Sequence, residues 1–149
     1  MDSVSTASAW PANKVEDFLS TSLSPLRLAV VRDSGFPLIC SLWFAYEEGR
    51  LLCATTQQAK VTECLLANPR CGFEIAPNEP PYLGVRGHGV ATVSSDGSMD
   101  RLGTLVDRYL GNRKTQFAQW LLNRSEDEVT IEIDILWMTS WDYSQRMSD

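Results

Sequence analysis

The sequence is poor in the residues that most catalytic and metal-binding arrangements require. It contains one histidine, His88, and four cysteines, Cys40, Cys53, Cys64 and Cys71, none of which forms a Cys-x-x-Cys pair. Structural zinc needs about four nitrogen or sulfur ligands in close spacing, so no metal site is expected. A Ser-His-Asp triad would depend on His88. That residue stands in Gly87-His88-Gly89 on a predicted strand, with no nucleophile elbow near it, and a strand histidine held by hydrogen bonds is the better reading. Cations are also scarce. Thirteen Lys and Arg stand against 19 Asp and Glu, giving a net charge of −6 and a pI near 4.7. Nucleic acid and anionic membrane surfaces both require a basic face, so neither is expected as a partner, although a local basic pocket could still hold one phosphate. No apolar run reaches the length of a bilayer. Residues 1–10 hold no Lys or Arg and no apolar run, so no secretory signal is read there. The expectation is a cytoplasmic protein with reduced thiols, Cys40 and Cys53 serving as small core residues inside apolar runs.

What is present suits one globular domain. The 149 residues are 44% apolar and 21% charged, enough to bury a core. Residues 1–12, rich in Ser, Thr and Ala, are expected to be a mobile segment ahead of a single domain over 13–149. Val15, Phe18 and Leu19 have helical spacing, with Asn13 and Glu16 as a capping box. Leu26 to Arg32, Phe36 to Tyr46 and Arg50 to Thr56 read as three strands, joined by turns at Asp33-Ser34-Gly35 and Glu47-Glu48-Gly49. A helix over Ala59 to Ala67 follows, with Val61, Cys64, Leu65 and Leu66 inward, and Asn68-Pro69 ends it. Cys71 to Ala76 and Tyr82 to Val93 are strand-like. Leu102, Leu105, Val106, Tyr109 and Leu110 mark a further helix, and Phe117, Trp120 and Leu121 another helical face. The run Glu126-Asp127-Glu128 reads as a solvated turn. Then Val129, Ile131, Ile133 and Ile135 alternate with Thr130, Glu132 and Asp134, the pattern of a half-buried strand, which Met138 to Tyr143 extends or follows. About six strands linked mostly by turns predict a mainly β, antiparallel barrel or sandwich with appended helices.

Three segments have possible ligand chemistry. Thr55-Thr56-Gln57-Gln58-Ala59-Lys60 leaves a strand and enters a helix. Amides at a helix start, two hydroxyls and an ammonium can cradle a phosphate, or the segment is an ordinary polar loop with a capping threonine. Ser41-Leu42-Trp43-Phe44 is a strand against which a flat ring could lie, or simply a core strand. Trp141-Asp142-Tyr143 with Arg146 could cover a ligand, pack as a tail or form a dimer contact. Five tryptophans, Trp10, Trp43, Trp120, Trp137 and Trp141, suggest that some occupy an interface or a ligand site.

The order of these pieces resembles a known family. Arg27-Leu28-Ala29-Val30-Val31-Arg32-Asp33-Ser34-Gly35-Phe36-Pro37 is followed by Leu42-Trp43-Phe44, Glu48-Gly49-Arg50-Leu51 and Thr55 to Lys60. Leu65-Leu66-Ala67-Asn68-Pro69-Arg70 and Val85-Arg86-Gly87-His88-Gly89 come next. The ordered set resembles the pyridoxamine 5′-phosphate oxidase-like superfamily, the FMN-binding split barrels, over about Phe18 to Val93 and again at Trp141-Asp142-Tyr143. The resemblance implies a six-stranded antiparallel split β-barrel that forms a homodimer with two flavins at its interface. It places the phosphate turn at Thr55, Thr56, Gln57 and Lys60, and the flavin-ring strand at Ser41, Leu42 and Trp43. Tyr82 and Arg86 fall on the strand that reaches the flavin in the dimer, and Trp141 is the C-terminal aromatic. The implied function is an FMN-dependent oxidoreductase acting on a small molecule, in which the flavin carries the electrons and no catalytic side chain need be named. A deazaflavin-dependent reductase, or a flavin- or haem-binding, stress-response or cofactor-free module of the same fold, is implied as an alternative. Cys40 stands where pyridoxamine-phosphate oxidases carry arginine. No basic residue lies beside Lys60 in the turn, and the region that holds pyridoxal phosphate has no counterpart, so oxidation of vitamin B6 is not expected.

Overall fold

A computed structural model describes residues 3–123 and 127–148. The elements in chain order are α1 (Ala12–Thr21), β1 (Leu26–Val31), β2 (Pro37–Leu42), β3 (Phe44–Glu47), β4 (Arg50–Thr56) and α2 (Lys60–Ala67). There follow β5 (Arg70–Ile75), β6 (Leu83–Ser94), α3 (Ser98–Leu110), α4 (Gln116–Leu122) and β7 (Glu128–Asp142). The seven strands form one antiparallel sheet in the order β2-β1-β5-β6-β7-β4-β3.

That order explains why there are seven strands rather than the expected six. The apolar run Phe36 to Tyr46 is not one strand. It breaks at Trp43, and its halves lie at opposite ends of the sheet, β2 pairing with β1 and β3 with β4. Since Leu42 and Phe44 are separated by one residue, the sheet must curl until its two edges meet. The barrel closes covalently through Trp43 and not through a β2–β3 ladder, and this leaves a split. The hairpins on either side are local. Glu48 and Gly49 between β3 and β4 both have positive φ, 53° and 79°, the turn whose twist matches that of paired strands.

Inside the curl, Leu26, Leu28, Phe44, Leu51, Cys53, Ile75, Val85, Ile131, Ile133 and Met138 are all fully buried, each aliphatic or aromatic side chain contributing roughly 1.5–3 kcal/mol. The alternation read in β7 places Val129, Ile131 and Ile133 inward as expected, and the strand runs unbroken to Asp142. The helix α1 covers one end with Val15 and Leu19. Its last carbonyls, at Leu19, Ser20 and Ser22, accept hydrogen bonds from the Arg108 guanidinium of α3, a side chain doing the work of a helix C-cap. A second, smaller cluster of Leu102, Val106, Ala118 and Leu121 joins α3 to α4, with Trp43 and Ala54 packed against it.

Several local expectations are corrected. The helix α1 begins at Ala12 with Pro11 as N-cap and no side-chain cap bond, so Asn13 and Glu16 form no capping box; proline, pre-set in φ and lacking N–H, opens the helix instead. Leu66 is 68% exposed, and Phe117 and Trp120 are half-exposed or more, because Val61, Cys64 and Leu65 in α2, and Ala118 and Leu121 in α4, take the inward positions. Cys40 is only half-buried. Of the acidic run, Glu126 lies outside the described residues, Asp127 is exposed and Glu128 is buried as the first residue of β7, not part of a solvated turn. In the segment 1–12, the Ser5 amide donates to the Met138 carbonyl and the Met138 amide to the Ser3 carbonyl, Ser8 bonds Ser140, and Trp10 is buried with its indole N–H donating to Asp142.

Candidate functional site

The split in the barrel is lined by residues the fold cannot pair with one another. Ser41 and Leu42 end β2, Trp43 is the linker, and Ala54 and Thr55 lie on β4. With Leu102 and Leu105 of α3, Phe117 and Leu121 of α4, and Glu128, they enclose a pocket of about 220 Å³. Trp43 is fixed by its neighbours. Its ring stacks on Tyr109 at 5.0 Å with planes 4° apart and meets Phe117 edge-on at 6.3 Å. The Tyr109 hydroxyl accepts the Phe44 amide at 3.3 Å, and burial pushes the Tyr109 phenol upward, keeping it protonated at neutral pH. The aromatic at the seam is thus held by α3 and α4, an insertion between β6 and β7, and not by the barrel alone.

Downstream of the pocket the chain turns into α2. The Gln57 amide donates to the Asp127 carbonyl at 2.7 Å, the Gln58 side chain to the Asp127 carboxylate at 3.2 Å, and the Thr62 hydroxyl and Ala59 amide to the Thr56 carbonyl. The turn is therefore rigid, and the Gln57 amide is committed inside the protein. The helix itself has no side-chain N-cap; the Thr62 and Glu63 amides bond the Ala59 carbonyl, which leaves the Lys60 and Val61 amides to face an anion or water. Lys60 lies here, half-exposed and 3.1 Å from Glu63. It does not line the seam pocket. It lines a separate cleft of about 300 Å³ with Arg32, Asp33, Ser34, Glu63, Cys64 and Ala67. Arg32, from the β1–β2 turn, is the second cation missing from the Thr55–Lys60 segment. Sequence reading passed over it because it is distant in the chain and sits in a turn whose Asp-Ser-Gly chemistry already explained it.

The other expected site residues lie apart. Arg86 is on the outer face of β6 with its guanidinium 5.5 Å from the Trp141 ring. It lines a depression of about 480 Å³ with Arg27, Ala29, Ile39, Gly72, Glu74 and Trp137. Tyr82 precedes β6, half-exposed, its carbonyl accepting the Tyr143 amide at 2.9 Å. A broader depression of about 550 Å³ adjoins on the same face, lined by Val31, Pro37, Arg70, His88 and Leu136 among others. His88 is exposed and stacks on Trp137 at 5.6 Å. Ser41, Leu42, Trp43 and Thr55 are thus brought together, Thr56, Gln57 and Lys60 follow on the adjoining turn, and Tyr82, Arg86 and Trp141 form a separate group. Sequence reading missed the α3–α4 wall and Glu128 altogether.

The side chains offer little intrinsic reactivity. Burial raises the Cys40, Cys53 and Cys71 thiols, Cys71 to about 11, which keeps them protonated and poor nucleophiles. Among the described residues no group of three or more His, Cys, Asp or Glu is placed to hold a metal, and no helix is long and apolar enough to cross a membrane.

No protein-family model matches the chain, and no curated protein matches it. Solved structures do. A conserved hypothetical protein from Mycobacterium tuberculosis is 20% identical, with a TM-score of 0.80 over 97% of this chain and 92% of that one. An F420 reductase is 25% identical, with a TM-score of 0.66 over 83% of this chain and 94% of that one. A candidate pyridoxamine 5′-phosphate oxidase from Listeria innocua is 17% identical, with a TM-score of 0.65 over 86% and 95%. The chain has the pyridoxamine 5′-phosphate oxidase-like split-barrel fold.

Proposed function

We propose that the chain binds FMN between two copies of itself and acts as a flavin-dependent oxidoreductase on a small molecule. The observation that supports this reading is the chain order at the seam: Thr55 lines the pocket, and Thr56 leads directly into the turn that opens α2. Ser41, Leu42, Trp43 and Thr55 would hold the ring, Thr56 and the first amides of α2 the phosphate, with Lys60 and Arg32 neutralising its charge across one cleft. A bound flavin would supply the redox chemistry, which suits a chain with one histidine and no paired-cysteine motif. Trp43 orients the ring, and the helices α3 and α4 limit water at the seam.

The second copy supplies what one chain leaves apart. Ile39 and Leu136 are 67% and 61% exposed, and with Val31, Pro37 and Trp137 they form an apolar surface beside Arg86 on the outer sheet face. Exposed apolar area on this scale marks an association surface. In the proposed homodimer this face is covered, and Tyr82, Arg86 and Trp141 of one protomer complete the other's flavin site.

The test is the visible spectrum of the purified protein, with FMN titration if it is colourless. Saturable uptake near one FMN per chain is the expected result, and no uptake at high FMN would refute it. The likeness to an F420 reductase favours a deazaflavin as the second reading, tested by the same titration with that cofactor.

A further inference from the structure

One wall of the seam pocket has no part in the proposed flavin contacts. Leu102, Leu105, Phe117 and Leu121 line it with Glu128; the whole pocket, its Ser41, Leu42, Trp43, Ala54 and Thr55 side included, is about 220 Å³, or roughly seven waters at about 30 Å³ each, enough for one substituted ring where the flavin ring stays at the mouth. Glu128 is 3% exposed. It pairs in register with Thr56, and Thr130, two residues on, shares its sheet face and pairs with the lining residue Ala54. Thr130 is 5% exposed, and its Oγ1 is buried with no hydrogen-bond partner among the described residues. Buried hydroxyls without a partner are rare and costly, so this one points to a polar group that arrives with a ligand or a water. A carboxylate offers about four acceptor positions, so Glu128 can take ligand N–H groups in addition to any bond within the protein.

We propose that this wall selects a small, planar, apolar molecule presenting N–H donors, such as an amidine or aminoaryl group. Glu128 is its acceptor, Thr130 its second polar contact, and Trp43 and Phe117 its aromatic walls. That this molecule is the substrate rests on the flavin reading; the pocket's preference does not.

Benzamidine and benzoate are probes of matched shape and opposite charge. Each is titrated into the full-length protein with and without FMN, followed by tryptophan fluorescence and ligand-observed NMR. Saturable binding of benzamidine at least ten-fold tighter than benzoate is expected, with the preference lost in Glu128→Gln and binding lost in Phe117→Trp, which fills the pocket. Equal affinities, no saturable benzamidine binding at millimolar concentration, or a preference that survives Glu128→Gln would overturn the proposal. If Glu128→Gln does not fold, Phe117→Trp decides at a half-exposed position, unchanged benzamidine affinity counting against the site. FMN uptake is read on the same samples. Preference without FMN uptake overturns only the flavin reading, and FMN uptake without preference overturns only the pocket.

Discussion

Gly87→Ala is expected to destabilise the barrel by about 2–4 kcal/mol. Gly87 lies in β6 between β5 and β7, in register with Phe73 and Met138. A Cβ there would stand 2.3 Å from the Trp137 carbonyl oxygen, 2.8 Å from the Met138 Cβ and 2.8 Å from the Phe73 Cζ. The first neighbour is backbone of a paired strand. The other two belong to side chains that are almost fully buried, so none can swing into solvent. Relief requires β7 to move by about 1 Å where the β6–β7 register already shifts, between His88 and Gly89. Overpacking by one methyl costs about 1–3 kcal/mol, and two weakened ladder bonds about 1 kcal/mol each. The gain from replacing a strand glycine offsets about 0.5–1 kcal/mol. For a domain of this size that is a fall of about 6–15 °C in Tm, measured by circular dichroism or urea denaturation. A variant within about 0.5 kcal/mol of the parent would refute the close-packing argument, and with it the reading of the β6 glycines as points of strand approach.

Three further outcomes are expected. Lys60→Ala and Arg32→Ala should each weaken FMN binding by about ten-fold, the effect of one charge-assisted contact, read as flavin fluorescence quenching; unchanged affinity in both places the phosphate elsewhere. Ile39→Glu should leave protomer stability within about 0.5 kcal/mol while light scattering shows monomers and FMN uptake falls, and a dimer that persists rules out this face. Asp142 is held at about pKa 2, below its ordinary value, by the hydroxyl and amide of Ser144 and by the Trp10 indole. A depressed folded pKa contributes stability that is present above about pH 4 and is lost as pH falls through about 2. Asp142→Asn should flatten the stability curve over that window, and an unchanged acid limb in urea titrations would remove the bond from the account.

Much of the fold was legible because it is local. The β1–β2 and β3–β4 turns carry their own chemistry in Asp33-Ser34-Gly35 and Glu48-Gly49, α3 declares itself by the spacing of Leu102, Leu105 and Val106, and β7 by strict alternation. The boundary inside Phe36 to Tyr46 was not legible. Every residue there suits a strand, and only closure of the sheet requires one continuous run to serve both of its edges. The inward face of α4 was misread for a related reason. Phe117 and Trp120 outweigh Ala118 in hydrophobicity, yet the small residue packs against α3, leaving Trp120 largely exposed and Phe117 half-exposed at the rim of the seam pocket.

By itself, then, the sequence determined a mainly β domain with helices appended, a net acidic charge, a polar strand-to-helix turn at Thr55 to Lys60, and a scarcity of the histidine and paired-cysteine motifs that many catalytic sites use. These follow from composition and short-range pattern. The tertiary structure alone decided that the barrel is split at Trp43, that Arg32 joins Lys60 across a cleft, and that Leu102, Leu105, Phe117 and Glu128 wall the pocket. Each of these pairs residues tens of positions apart, and local propensity contains no term for such contacts. They exist because a curled sheet brings its edges, and the insertion between β6 and β7, to one place.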